Sequence, residues 1–167
     1  TRPRRFGKTL NLTMVREFLD ITKNSKDIFE GTKIMQTEYA EKLNSTPVIF
    51  MSFKDCGGCT KEELIEQFRT VIKEEYDRFY DTFESSSNIS QKTLKEYIKF
   101  SNILDESENY YDNLDKKNLC FKNLELKLPN MLYILTQALY EYYKIKPIFI
   151  LDEYDNPFIE AKNGGYY

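Results

Sequence analysis

Gly7-Lys8-Thr9 near the start of the chain and Asp152-Glu153 near its end are the residues whose types and spacing could do chemistry. Gly7-Lys8-Thr9 matches the close of the loop G-x-x-x-x-G-K-[ST], in which backbone N–H groups cradle phosphates. In that pattern Lys8 reaches the β- and γ-phosphates as a compact point charge. Thr9 sets its hydroxyl on Mg2+, and Gly7 lets the backbone approach without a Cβ in the way. Ile148-Phe149-Ile150-Leu151 followed by Asp152-Glu153 reads as a buried strand that delivers two acids at its carboxyl end, where open α/β sheets hold their ligands. Asp152 there would hold Mg2+ through water, and Glu153 would orient or deprotonate an attacking water.

Each half of this pattern also has a plain structural reading. Lys8 alone is an exposed lysine at a helix terminus, and Asp152 alone is a cap for the next helix. G-K-[ST] arises by chance in roughly one chain in ten of this length, and four apolar residues before Asp-Glu in roughly one in a hundred. The two together, in this order, point to a nucleoside triphosphatase core. Arg4, Arg5 and Phe6 stand in the loop, where most phosphate loops carry small residues. The two arginines either add charge near the phosphates or pair with Asp152 or Asp155.

Cys56-Gly57-Gly58-Cys59 offers a competing chemistry. It follows an apolar strand and precedes a helix, the setting of a thiol–disulfide redox pair whose thiol pKa is lowered. The same residues could be half of a zinc site, but with no His in the chain only Cys120 remains to complete it. The plain reading is a Gly-Gly turn with incidental cysteines.

The chain as a whole narrows the classes. Its 167 residues amount to one domain, and 41% hydrophobic with 31% charged residues is a globular composition. The absence of His excludes a histidine triad or histidine acid–base chemistry. Three cysteines without a paired framework suit a reducing, intracellular compartment, with the cytoplasm the expected location. No apolar run is long enough for a membrane span. The net charge is −3, and the basic cluster of Arg2, Arg4, Arg5 and Lys8 is sized for a phosphate group, not for a nucleic-acid track. The chain opens inside the loop, so it reads as a piece of a longer protein that lacks the strand feeding the loop and the later strands of the sheet.

The elements that must position these residues can be read in order. Residues 8–22 have Leu10, Met14, Phe18 and Ile21 at helical spacing, and the helix start presents N–H groups and a positive dipole end to an anion. Short helical turns are expected near 26–30, stopped by Gly31, and near 37–43. Pro47 opens a strand through Phe53 whose continuous apolar run predicts burial on both faces. Thr60-Lys61-Glu62-Glu63 is a capping box for a long helix to about 83. A helix over about 90–104 and a solvated acidic stretch over 105–115 follow. Pro129 suits the first turn of a helix to Tyr143, with Leu132, Leu135 and Leu139 inward. Pro157 opens a last short helix. The order predicts an α/β fold in which the two visible strands are parallel neighbours.

Thr1-Arg2-Pro3-Arg4-Arg5-Phe6-Gly7-Lys8-Thr9-Leu10, Pro47-Val48-Ile49-Phe50 with Ser52-Phe53-Lys54, and Leu151-Asp152-Glu153-Tyr154-Asp155 with Pro157 resemble the AAA-ATPase-like domain family. The resemblance covers nearly the whole chain as a single partial domain, most weakly over a variable insertion at about 84–128. It implies a phosphate-loop fold of the additional-strand type, ATP as the nucleotide and Mg2+ as its partner. It implies Lys8 and Thr9 as the phosphate-and-metal pair, and Asp152 and Glu153 as the metal-and-water pair. Such domains often precede a PD-(D/E)XK-type nuclease-like domain, which the resemblance gives as a partner in the complete chain, while self-association stays open. The domain would act as a motor or switch for what is attached to it, or as a nucleotide-binding scaffold without turnover. Where the general loop motif begins with Gly this chain has Arg2, as the family itself does, so the loop entry must differ.

Overall fold

A computed structural model describes residues 7–106 and 114–167, with the backbone alone described for residue 106 and residues 114–123. The phosphate-loop residues Arg4, Arg5 and Phe6 and most of the acidic stretch therefore lie outside the described residues, as does the side chain of Cys120. The helices are α1 (Lys8–Leu19), α2 (Lys26–Phe29), α3 (Lys61–Glu84), α4 (Gln91–Glu106), α5 (Leu114–Tyr143) and α6 (Asn156–Gly164), and the strands are β1 (Val48–Ser52) and β2 (Ile148–Asp152). Two 3-10 turns, Lys33–Gln36 and Glu38–Lys42, fill the segment before β1. No described helix is long and apolar enough to cross a membrane.

β1 and β2 pair in parallel, from Val48 opposite Ile148 to Ser52 opposite Asp152. The long connection α3–α4–α5 between them packs on one face of β1. Side chains alternate along a strand. Ile49 and Met51 thus enter the core that α3, α4 and α5 build around Tyr76, Phe79, Leu135 and Leu139. Phe50 points to the opposite face, where the Arg16 guanidinium of α1 lies 4.9 Å from its ring centre. The expectation of burial on both faces holds for β1, while the expectation that β2 is a buried strand does not. There Ile150 and Asp152 are buried while Ile148, Phe149 and Leu151 are each about 41–42% exposed. The apolar run identified the strand; it did not report which neighbours cover it.

Three boundaries differ from the sequence reading. First, α1 ends at Leu19, because the chain turns at Asp20 into a bridge with Thr46. Leu10 and Met14 are exposed, and of the expected stripe only Phe18 is fully buried. Met14, Val15 and Phe18 border an apolar groove of about 540 Å3 shared with Phe29, Ile34 and Tyr39. Second, Pro129 lies inside α5 instead of opening it. A proline there removes one helical hydrogen bond, at about 3 kcal/mol. Leu124 before it and Met131 and Leu135 after it are buried in the same core, at about 1.5–3 kcal/mol each, and that burial outweighs the proline. Third, Asp105 belongs to α4 and pairs with Lys73 of α3 at 2.6 Å, so it is no loop residue.

The capping of α3 also shifts by one residue. Thr60 Oγ1 accepts the Glu63 N–H at 3.3 Å as a capping box requires, but the Glu63 carboxylate reaches back to the N–H of Cys59 at 2.7 Å.

The carboxyl end of α1 is the most heavily bonded helix end among the described residues. A helix leaves its last four carbonyls without intrahelical partners. Here Asn44 Nδ2 donates to the carbonyls of Glu17 and Asp20, each at 3.0 Å. The Asn44 N–H donates to Phe18 at 2.7 Å and the Thr46 N–H to Leu19 at 2.9 Å. Asn44 itself takes a left-handed φ of 48°, a conformation Asn tolerates better than most residues. The side chain of Asp20 is fully buried and lies 2.7 Å from Nη1 of Arg78 on α3. The same guanidinium donates to the carbonyl of Val48 and sits 2.9 Å from Oε2 of Glu75, a close ion pair without hydrogen-bond alignment.

Burial pushes the Glu75 carboxyl up to about 7 from its ordinary value of 4.5, despite the opposing pull of Arg78 and Arg16 and a hydrogen bond from the Phe50 backbone. Between those two values the folded chain keeps a proton that the unfolded chain has lost, so this group makes stability fall as pH rises through the window. The melting temperature of the wild type should therefore drop more between pH 5 and pH 8 than that of Glu75→Gln, which mimics the protonated form at every pH. Parallel pH dependences in a calorimetric comparison of the two proteins would contradict this assignment.

Candidate functional site

The direction of α1 decides where Gly7, Lys8 and Thr9 stand relative to the strands. Its carboxyl end is fastened at the entrance to β1, and the helix packs on both β1 and β2. Its axis therefore runs back along the strands, and its amino end lies toward their carboxyl ends. Twelve helical residues span about 18 Å and five strand residues about 17 Å, so helix and sheet match in length. Directly paired residues of parallel strands point to the same side, so Asp152 shares the α1 face with Ser52, and with Phe50 two residues earlier. Gly7, Lys8 and Thr9 at the head of α1 and Asp152 at the end of β2 thus stand at one end and on one face of the sheet.

Gly7 caps α1 in the left-handed conformation, φ 70° and ψ 25°, which a side chain would strain. Its carbonyl accepts the Asn11 N–H at 2.9 Å, which closes the first helical turn. The N–H groups at such a helix head have no intrahelical acceptor, and the helix dipole adds a positive partial charge. Lys8 and Thr9 are exposed. The carbonyl of Thr9 accepts the Thr13 hydroxyl at 2.9 Å, while the hydroxyl of Thr9 stays at the surface.

Asp152 is only 3% exposed, and its Oδ2 is buried with no hydrogen-bond partner among the described residues. A buried carboxylate oxygen left alone costs the fold about 1–3 kcal/mol or more, so it calls for an explanation. A hard cation supplies one, because Asp152 and Thr9 offer the oxygen donors that Mg2+ prefers. Among the described residues no three or more His, Cys, Asp or Glu side chains converge, so such a cation would complete its shell with phosphate oxygens and water.

Glu153 is one of three described non-glycine residues with positive φ, at 52°. Leaving the strand in a left-handed turn, it escapes the alternation that would send it to the face opposite Asp152. Asn156 N–H closes the turn on the Glu153 carbonyl at 3.0 Å. The turn is anchored from both sides. Phe53 N–H donates to the Asp152 carbonyl at 2.9 Å, and Asn156 Nδ2 reaches the carbonyls of Phe53, Lys54 and Cys56 at 3.0–3.2 Å. Sequence reasoning passed over Asn156; its only signal was a short polar side chain directly before the helix-opening Pro157. The cap position of α6 falls to Asp155, so Asp152 is not that helix's cap.

The cysteine pair departs from its redox expectation. Cys56 is buried and Cys59 exposed, and both are free thiols. Burial, aided by Asp55 and Glu74, pushes the Cys56 thiol up to about 11, the reverse of the lowered value that thiol exchange needs. The glycines between them serve packing: a Cβ on Gly57 would meet the Glu160 side chain at 2.7 Å, and one on Gly58 the Glu63 side chain at 2.7 Å.

Over residues 1–167 the chain matches the AAA-ATPase-like family, described as predicted AAA-ATPase, and it belongs to that family. No curated protein and no solved structure matches it.

If the Asp152 carboxylate is strained for want of a partner, Asp152→Asn should raise the melting temperature of metal- and nucleotide-free protein by about 2–4 °C, the equivalent of about 1 kcal/mol at this chain length. A fall in melting temperature would mean that the carboxylate already has a stabilising partner in the free protein.

Proposed function

We propose that this member of the predicted AAA-ATPase family binds Mg-ATP between the head of α1 and the end of β2, in a phosphate-loop fold, and hydrolyses it. What supports the reading is the unpartnered buried Oδ2 of Asp152 at the carboxyl end of β2, the end toward which the axis of α1 directs Gly7-Lys8-Thr9. In this reading Arg4 and Arg5 add positive charge for the phosphates, and Phe6 belongs to the same binding segment. The helix-head N–H groups and the Lys8 ammonium neutralise charge on the β- and γ-phosphates, and the left-handed Gly7 admits them to the backbone. The Thr9 hydroxyl and the Asp152 carboxylate hold Mg2+, which when bound offsets the charge that builds on the phosphoryl oxygens.

Glu153 acts on water. It orients the attacking molecule toward the γ-phosphorus and accepts its proton as the new P–O bond forms and the bond to the β-phosphate oxygen breaks, giving ADP and phosphate. Turnover then reports on nucleotide state to whatever is attached, as a motor or switch does. A nuclease-like domain in the same chain is the attachment the family resemblance implies.

Lys8→Ala should weaken Mg-ATP binding at least about 10-fold, because a charge-assisted contact to phosphate is lost. Glu153→Gln keeps length and hydrogen bonding but removes the base, so binding should survive while turnover falls about 10²- to 10⁴-fold. Calorimetric titration and phosphate release measured side by side on the full-length protein check both. Binding by wild type with no turnover in any variant would make the domain a scaffold, and hydrolysis by Glu153→Gln at the wild-type rate would remove Glu153 as the base.

A further inference from the structure

The charges at the far end of α1 take no part in the chemistry above, yet they join α1 to the strand that pairs with β2. Arg78 of α3 contacts Asp20 at the carboxyl end of α1 and the carbonyl of Val48 at the start of β1, and β1 in turn fixes the register of β2. Asp20 Oδ1 is occupied as well, accepting the Thr22 N–H at 3.0 Å and the Thr22 hydroxyl at 2.9 Å. Arg16 Nε lies 3.8 Å from Asp20 Oδ2. A buried ion pair is a poor source of stability, since an apolar pair of the same volume often does as well. What a guanidinium supplies is direction, because its planar fork accepts partners only at fixed angles.

Direction matters here because α1 is a lever. Its head lies about 18 Å from its fastened end, so a tilt of about 5° at Asp20 displaces Lys8 by about 1.5 Å. A misplacement of about 1 Å can cost about 10²-fold in rate. We infer that Arg78, acting through Asp20 and the Val48 carbonyl, is a positioning residue that aims the head of α1 at Asp152 and so sets nucleotide affinity and turnover from the opposite end of the helix. This rests on the nucleotide reading of Gly7-Lys8-Thr9 and Asp152.

The experiment compares full-length variants at a temperature where each is fully folded by circular dichroism, measuring Mg-ATP affinity, turnover and melting temperature. Arg78→Met alone would strand the Asp20 charge in the interior, so the test variant is the double substitution Asp20→Asn with Arg78→Met, which removes both charges. It should melt cooperatively yet lose about 10- to 10²-fold in turnover and about 10-fold in affinity. Arg78→Lys keeps a charge beside Asp20 but loses the fork, and should fall between it and wild type. Arg69→Met is the control. Arg69 is a buried arginine of α3 that bonds Glu66 and the Leu104 carbonyl of α4, and its loss should lower the melting temperature without changing affinity. Wild-type affinity and turnover in the double variant overturns the inference while leaving the nucleotide reading intact. An equal loss of affinity in Arg69→Met also overturns it, because the effect would then follow stability alone. If the double variant does not fold, Arg78→Lys decides: weakened binding supports positioning and unchanged binding rejects it. A wild type that binds no Mg-ATP overturns both readings.

Discussion

The buried contact between Asp20 and Arg78 is the constraint on which the rest of the arrangement depends. A charged carboxylate is removed from water at the end of α1, which is tolerated only with an opposite charge and hydrogen bonds in place. The same Arg78 bonds the first carbonyl of β1, so one guanidinium ties the end of α1 to the start of that strand. Asn44 and Thr46 then satisfy the α1 carbonyls that Asp20 leaves open. A helix so fastened at one end has its direction decided, and its direction decides what its head can meet.

What the head meets is a strand end built with tension in it. Asp152 carries a buried oxygen without a partner, and Glu153 beside it adopts a backbone conformation that costs a residue with a side chain about 1 kcal/mol or more. An orphaned buried oxygen next to a left-handed residue at a strand end is the kind of local strain that accompanies sites shaped for a ligand. The surroundings hold the strain in place. Asn156 ties the turn after β2 to three carbonyls of the loop after β1, and the Phe53 N–H extends the strand pairing to Asp152 itself. The same loop contains Cys56, whose burial makes it part of this support and unsuits it to redox chemistry.

Much of this was legible in the sequence, for local reasons. Both strands announced themselves as continuous apolar runs, and their parallel pairing followed from the helices between them. Gly31 was read as a helix stop and Gly7 as a loop residue needing no Cβ, and both adopt positive φ. The departures arise where tertiary contacts, or their absence, decide what a local pattern does. Pro129 is a good helix opener by itself, yet core contacts of Leu124, Met131 and Leu135 carry α5 straight through it. Leu10 and Met14 kept the helical period but not the burial. The clamp on α1 was beyond sequence reasoning because its partners are far apart in the chain: Asp20 meets Arg78 58 residues on, and Asn44 reaches Glu17 27 residues back. Nor does an isolated Asp-Glu reveal that one oxygen will be buried alone.

The central claim is that nucleotide binds where the head of α1 faces the end of β2, and amide hydrogen exchange of the full-length protein with and without Mg-ATP tests it most directly. Mg-ATP should slow exchange in the peptides covering Gly7–Asn11 and Leu151–Asn156, and the protection of the second should need Mg2+. The groove beside Met14 and Phe18 should exchange at the same rate in both states. Protection confined to that groove, or none at either end of the sequence pattern, would contradict the account.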